Sequence, residues 1–181
     1  QAILFLFGFF SLLLIVQLVY PFVTTLLAQI FGNEKLDALN TPSRDFDFGC
    51  IITAYQNAAI AGPLVASLLR QTHQRQMVYL VADECPADFD LGLQDERLVV
   101  LRPNPPLRLK VKSILHAVEH FRRAHDYIAV FDADNLAHPE YLSEINRYAN
   151  AGHRCIQGQR TAKNLDSTYA ALDSMGEHYK N

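Results

Sequence analysis

Apolar and polar positions divide this chain into two unlike parts. The first 33 residues hold no Asp, Glu, Lys, Arg or His, and "AILFLFGFFSLLLIVQLVY" (2–20) is almost continuously apolar. As a helix this run reaches about 28 Å at about 1.5 Å per residue, close to the roughly 30 Å hydrocarbon core of a bilayer. The pattern predicts a transmembrane helix within residues 1–31. Pro21 is expected to kink it, or to start a second segment, "FVTTLLAQIF" (22–31), in or at the membrane face. A secretory signal fits less well, because the run is too long and no small-residue cleavage site follows.

Residues 32–47, "GNEKLDALNTPSRDFD", are polar and rich in turn formers, and read as a linker. From residue 48 to 181 the pattern alternates. "FGCIITA" (48–54), "MVYLVAD" (77–83), "LVVLR" (98–102), "YIAVFDA" (127–133) and "RCIQG" (154–158) are short apolar runs with the β-branched and aromatic content of strands. Between them apolar residues recur at helical spacing. Ile114, Leu115, Val118 and Phe121 form one such stripe, and Tyr141, Leu142, Ile145 and Tyr148 another behind Pro139. Leu64 and Leu68 follow Pro63 in the same way. Strands alternating with helices imply βαβ units, hence an α/β fold with a mostly parallel sheet and flanking helices. In such sheets ligands bind beyond the carboxyl ends of the strands.

Composition changes this picture little. The net charge of −3 lacks the basic face a nucleic-acid partner requires, so none is expected. Cys50, Cys85 and Cys155 show no CxxC pairing. Cys50 and Cys155 sit in apolar runs and read as buried free thiols, in keeping with a reducing compartment.

The strand ends carry the candidate chemistry. The run "YIAVF" leads straight into Asp132 and Asp134, which alternation along an extended chain would put on one side. Two like charges held so close call for a cation, and Mg²⁺ or Mn²⁺ takes carboxylates together with substrate phosphates. Asp83 ends another strand, where it is either a solvated turn residue or an acceptor for a base edge. Tyr55 could wall a nucleobase or belong to the core. Lys110 and Lys112 open a helix, where they are solvated or meet a phosphate. Together these groups compose a nucleotide-diphosphate pocket. A rival motif, "HAVEH" (116–120), spells the H-x-x-E-H of one class of zinc peptidase. The apolar stripe of its helix points nearly opposite to His116 and His120, which weighs against a catalytic site there.

At these residues the chain resembles the membrane-anchored family 2 glycosyltransferases of the GT-A (Rossmann-like) fold, in the broad group of cellulose- and hyaluronan-synthase-like enzymes. The matching stretches are "IITAYQN" (51–57), Asp83, "KVKSILHAVE" (110–119), "FDADN" (131–135) and "QGQRTAKN" (157–164). The resemblance implies an inverting enzyme that transfers a sugar from a metal-bound nucleotide-diphosphate sugar, UDP by family default, to a glycan or lipid-linked acceptor. It implies that Ala54, Tyr55 and Asp83 hold the nucleobase side and that Lys110 lies near the nucleotide. Asp132 would contact nucleotide and metal, and Asp134 would ligate the metal. Gln157, Gly158 and Arg160 would line the sugar and acceptor side. The cofactor would be Mg²⁺ or Mn²⁺, in an integral protein of a bacterial cytoplasmic membrane whose globular domain faces the cytosol, where nucleotide sugars are made. Leu115 stands where the family usually has Asn. Gln1 is not a natural start, and the family's later acidic motif, which supplies the catalytic base, and its Q-x-x-R-W-type motif are expected beyond Asn181. Glu140, Glu144, Asp166 and Asp173 make no convincing base. A tethered, non-catalytic nucleotide-sugar-binding subunit is therefore the alternative.

Overall fold

A computed structural model describes residues 1–31, 43–161 and 167–168. The chain divides into two units, residues 1–38 and 39–181. The expectations for 32–42, and for Asp166 and Asp173, lie outside the described residues.

The first unit contains helix α1, Ala2–Phe31. It is apolar on all sides, and its stretch Ile3–Leu27 is long and apolar enough to cross a membrane. The expected separate segment after Pro21 does not form, for α1 continues through the proline. Pro21 withholds one backbone N–H. The helix around it is supported by hydroxyls, with Thr24 donating to the Tyr20 carbonyl at 3.0 Å and Thr25 to the Pro21 carbonyl at 2.7 Å. Such bonds satisfy polar groups within the helix itself.

The second unit is a parallel α/β sheet with flanking helices. Strands β1 (Phe48–Tyr55), β2 (Gln76–Asp83), β3 (Leu98–Leu101) and β4 (Tyr127–Asp132) pair in the order β3-β2-β1-β4, all parallel. A 3-10 turn (Ala58–Ala61) and α2 (Gly62–Leu69) connect β1 to β2, α3 (Lys110–Glu119) connects β3 to β4, and α4 (Tyr141–Asn150) follows. Being central, β2 is buried along its whole length, which is why it reads as one apolar run rather than an alternation. One face of the sheet packs Phe48, Ile52, Val78 and Leu80 against Leu64, Val65 and Leu68 of α2 and Leu142 of α4. The other packs Ile51, Met77, Tyr79 and Val81 against α3.

Two expectations fail here. The run 154–158 forms no strand, so Cys155 is exposed rather than buried. A tight turn at Gly152 (φ 95°) precedes this run, and Gly158 then lies against the Tyr141 ring, where a Cβ would come within 2.6 Å of Cε2. The run therefore crosses the α4 side of the sheet instead of adding to it. The second failure is the facing of α3. Its buried residues are Ser113 and Ala117, with Ile114 and Phe121 partly buried, while Leu115 and Val118 point outward. Tyr79 and Ile51 make this face of the sheet bulky, and only small residues let the helix approach it closely. His116 and His120 consequently flank the buried seam instead of opposing it.

The segment entering β1 is pinned to the second unit. Asn146, itself buried, accepts from the Phe46 N–H at 3.0 Å and donates to the Arg44 carbonyl at 3.1 Å. Asp126 accepts from the Asp47 N–H at 2.9 Å and pairs with Arg44 at 2.7 Å.

Candidate active site

The order β3-β2-β1-β4 reverses direction between β1 and β4, because successive connections run outward from β1 on both sides. That switch point is where open parallel sheets form a ligand crevice. Register places the carboxyl ends together: Tyr55 pairs with Asp83, and Thr53 with Asp132. Above these ends lies a cleft of about 130 Å³ lined by Thr53, Ala54, Tyr55, Asp83, Arg108, Leu109, Lys110 and Ser113. A larger depression, about 470 Å³, runs along the β3 edge past Leu93, Asp95 and Val100. It lies away from the strand ends, and the pairing of Asp95 with Arg97 at 2.8 Å gives that carboxylate a partner already.

Of the expected site residues, Ala54, Tyr55, Asp83 and Lys110 line the cleft. Asp132 joins them through an ion pair with the Lys110 ammonium. Asp83 is almost fully buried, and its two carboxylate oxygens accept from the backbone N–H groups of Leu107 (2.8 Å) and Arg108 (2.6 Å). It thereby fixes the turn that carries Arg108 and Leu109 into α3. Arg108 holds a left-handed backbone (φ 52°) there, an uncommon conformation for a residue with a side chain.

Two charged residues of the cleft region were missed by sequence reasoning, Arg108 and Glu84. They pair with each other, and Glu84 also accepts from the Tyr55 hydroxyl at 2.5 Å. That hydroxyl, and then the Arg108 guanidinium, hold the Glu84 carboxyl below the usual carboxylate range. The same bond pushes the Tyr55 phenol up. The only sequence signal was adjacency: Glu84 follows Asp83, and Arg108 precedes Lys110 by two.

The D-x-D does not sit on an extended chain. β4 ends at Asp132, and the Asn135 N–H donates back to the Asp132 carbonyl at 3.1 Å, so Ala133 and Asp134 make a turn. Period-two alternation therefore does not set the direction of Asp134. Both carboxylates stay on the exposed rim at the end of β4. Gln157, Gly158 and Arg160 are not among the residues lining the cleft; Gly158 lies against Tyr141, whose ring meets Phe131, the neighbour of Asp132, edge-on at 5.6 Å.

Helix α3 begins at the cleft. Its cap position, Leu109, supplies no side-chain acceptor and its first turn holds no acid. Its first N–H groups therefore add their partial positive charge to Lys110 and Arg108 beside the acidic rim. This arrangement can meet an anion on the β1–β2 side and a cation on the β4 side.

Among the expected non-sites, Glu144 is paired with Arg147 at 3.0 Å and Glu140 is exposed before α4. The histidine motif does gather donors: one each from His116, Glu119 and His120 lie within 4.8 Å of one another. None of the three lines either cavity.

The sequence profile of the family described as "Glycosyltransferase like family 2" matches residues 46–181. No curated protein matches the chain by sequence. Among solved structures, the mannosyltransferase PcManGT from Pyrobaculum calidifontis, in complex with GDP-Man and Mn²⁺, superimposes with a TM-score of 0.54 at 15% identity, over 72% of this chain and 39% of that one. TarS (1–349) from S. aureus gives a TM-score of 0.49 at 17% identity, over 65% of this chain and 40% of that one. The chain thus spans about two fifths of the length of these structures.

Proposed function

The chain belongs to the glycosyltransferase-like family 2, and from that premise we propose that its strand-end cleft binds the donor of an inverting hexosyl transfer, a nucleotide-diphosphate sugar. The observation that carries this is the meeting of opposite charges at the β1/β4 switch point. Arg108, Lys110 and the start of α3 offer cationic and N–H groups to a diphosphate, while Asp132 ends the neighbouring strand and Asp134 lies in the turn after it. Tyr55, half exposed beside the cleft, offers a ring face to the base. Asp83 positions the Leu107–Leu109 turn, and any contact of its carboxylate with a base edge would add to the two N–H bonds it already accepts.

The carboxylate pair fits a hard divalent cation, Mg²⁺ or Mn²⁺, and Lys110 already places positive charge on Asp132. Asp132 and Asp134 would hold the metal, which when bound supplies Lewis-acid stabilisation of the departing diphosphate. The fold neighbour solved with GDP-Man and Mn²⁺ is in keeping with this donor class. UDP is the nucleotide proposed here. Gln157, Gly158 and Arg160 would face the sugar and acceptor, reached by movement of the segment that packs on Tyr141. The acceptor is a glycan or lipid-linked saccharide, as in the cellulose- and hyaluronan-synthase-like group, with α1 anchoring the domain in a membrane on its cytosolic side.

The cleft is smaller than the roughly 300–1,000 Å³ of small-molecule sites. The Lys110–Asp132 and Arg108–Glu84 pairs stand at its margins, so binding exchanges these internal pairs for ligand contacts. Transfer also needs a base for the acceptor hydroxyl, worth about 10²–10⁴ in rate. None of Glu140, Glu144, Asp132 and Asp134 is assigned that role. These 181 residues are therefore proposed to bind donor without transferring its sugar. Calorimetry with UDP-sugar and Mn²⁺, paired with a radiolabelled transfer assay, tests both halves. Metal-dependent binding that disappears in Asp134→Asn supports the site, and unchanged affinity in that variant removes it. Turnover by the 181 residues would place a base among them. Binding without turnover in a chain extended past Asn181 would instead favour the non-catalytic subunit.

A further inference from the structure

We propose that the outer end of α3 carries a second metal site, built from His116, His120 and Glu119 and selective for a borderline transition ion such as Zn²⁺. Residues four apart lie one above the other on a helix, and the two imidazole rings are 4.1 Å apart between centroids. A donor atom from each of the three side chains lies within 4.8 Å of the others, and no buried residue separates them from solvent. The hydrogen bonding also prepares the ligand. His120 Nδ1 lies 2.8 Å from the His116 carbonyl oxygen, which can only accept, so Nδ1 carries the proton and Nε2 of the neutral ring keeps its lone pair. Fixing one ring nitrogen by a backbone bond is how metal-ligating histidines are commonly oriented.

The position adds to the chemistry. His120 caps α3, and the last turn of a helix presents the negative end of its dipole, where a cation is stabilised. Two imidazoles and a carboxylate suit Zn²⁺, Ni²⁺ and Cu²⁺ and not the hard ions suited to Asp132 and Asp134. The rim carboxylates lie beside the first turn of α3, where Lys110 pairs with Asp132, whereas the outer site lies at the helix's last turn. Lining neither described cavity, the outer site clamps the final turn of the helix whose first turn lines the donor cleft. It is a stabilising site, not a peptidase centre, and it does not depend on the glycosyl-transfer reading.

The test uses the full chain, without a histidine tag, in detergent micelles, stripped with chelator and titrated with Zn²⁺ against a chromophoric competitor. The expected result is one Zn²⁺ per chain at micromolar affinity. His116→Ala and His120→Ala should each weaken it by at least about 10–100-fold, the range for losing a partner that merely supports a ligand, and Glu119→Gln by less. The variants should match the parent in far-UV circular dichroism in chelator, since all three side chains lie off the buried seam. If a histidine variant misfolds, Co²⁺ substitution in the parent decides instead, through an imidazole-to-metal spectrum that Glu119→Gln perturbs. No zinc uptake by the parent overturns the proposal. So does zinc retained by His116→Ala/His120→Ala, or zinc lost in Asp132→Asn. Loss of Mn²⁺-dependent nucleotide binding in Asp134→Asn leaves zinc uptake unchanged, which keeps the two sites experimentally separate.

Discussion

The two ends of β1 carry ionic clusters of opposite character. At its entry, Asp47 accepts from His125 Nδ1 and pairs with Arg123 at 2.9 Å, while His125 Nε2 meets the Tyr79 hydroxyl at 2.9 Å. The His125 side chain is wholly buried, and Tyr79 also accepts from the Arg122 N–H at 3.0 Å. Every polar group there has a partner inside the protein. Cys50 lies just beyond, where burial first and Asp47 second push its thiol up to about 12. At the exit, Glu84, Arg108, Lys110 and Asp132 pair along an open cleft, with Lys110 and Asp132 each about half exposed. A carboxylate and an imidazole buried against each other, as Asp47 and His125 are, hold a structure together, because losing one partner strands the other. Ion pairs facing water are worth about 0–1 kcal/mol and exchange readily. The entry cluster is a fastening, and the exit cluster is a set of groups kept available.

The largest effect should come from breaking the fastening. Asp47→Ala leaves the buried His125 N–H without its acceptor, which costs about 1–3 kcal/mol, and it loses the pair with the half-exposed Arg123, worth about 0–1 kcal/mol more. Denaturant unfolding of the full chain in detergent, followed by near-UV circular dichroism, reads this as a lowered midpoint. A loss below 1 kcal/mol would mean that water replaces Asp47 and that the entry end is as open as the exit.

Gly49 sharpens the same point by shape alone. A Cβ there would stand 2.8 Å from His125 Cδ2 and 3.0 Å from Phe121 Cζ. His125 is tied at both ring nitrogens and has little room to give. Gly49→Ala should therefore cost about 1–3 kcal/mol, the range for overpacking. In Asp47→Ala, with the ring released, the same substitution should cost less, and a double-mutant cycle measures the difference.

At the exit the expectation inverts. Asp132→Asn should shift stability by no more than about 0.5 kcal/mol, as for other surface changes. Its consequence belongs to the ligand, as a loss of at least about tenfold in Mn²⁺-dependent nucleotide affinity by calorimetry, the scale on which ligand-shell changes act. A large stability loss with unchanged affinity would turn the exit cluster into a second fastening.

This asymmetry explains what could be read from the residues in advance. β1, β2 and β4 were visible because each is a run of apolar, β-branched or aromatic residues long enough for a buried strand, and the parallel α/β architecture follows from their alternation with helices. Asp83 and Asp132 were visible because a charge at the end of an apolar run is conspicuous, and Lys110 because it opens a helical stretch. Arg108 and Glu84 were not, since charges in turns are ordinary until folding sets them opposite one another. The facing of α3 was misjudged because a count of apolar residues selects Leu115 and Val118. Close approach to Tyr79 selects Ser113 and Ala117 instead, and that is a matter of volume. "RCIQG" looked like a strand by composition, yet Gly158 seats it against Tyr141.

The smallest effect concerns the Tyr55–Glu84–Arg108 group, where stability should hardly register a change and protonation should. The Tyr55 hydroxyl, ahead of Arg108, holds the Glu84 carboxyl below its ordinary range. A depressed carboxyl pKa contributes stability that is present above the ordinary glutamate value and is lost as pH falls through the depressed one. The group should thus stay closed at neutral and mildly acidic pH and open only below the normal glutamate range. Tyr55 behaves in the opposite sense: its raised phenol pKa keeps the hydroxyl protonated, and its bond would be lost only as pH rises through that raised value. Tyr55→Phe removes the first of the two supports, so carboxylate NMR should show Glu84 titrating closer to the ordinary value. Arg108→Ala should move it in the same direction by less, with the unfolding midpoint at pH 7 unchanged in both. If Arg108→Ala moves Glu84 further than Tyr55→Phe does, the group is held by charge rather than by the hydroxyl. Salt would then loosen it, because an exposed charge pair is screened within about 10 Å at 0.1 M ionic strength.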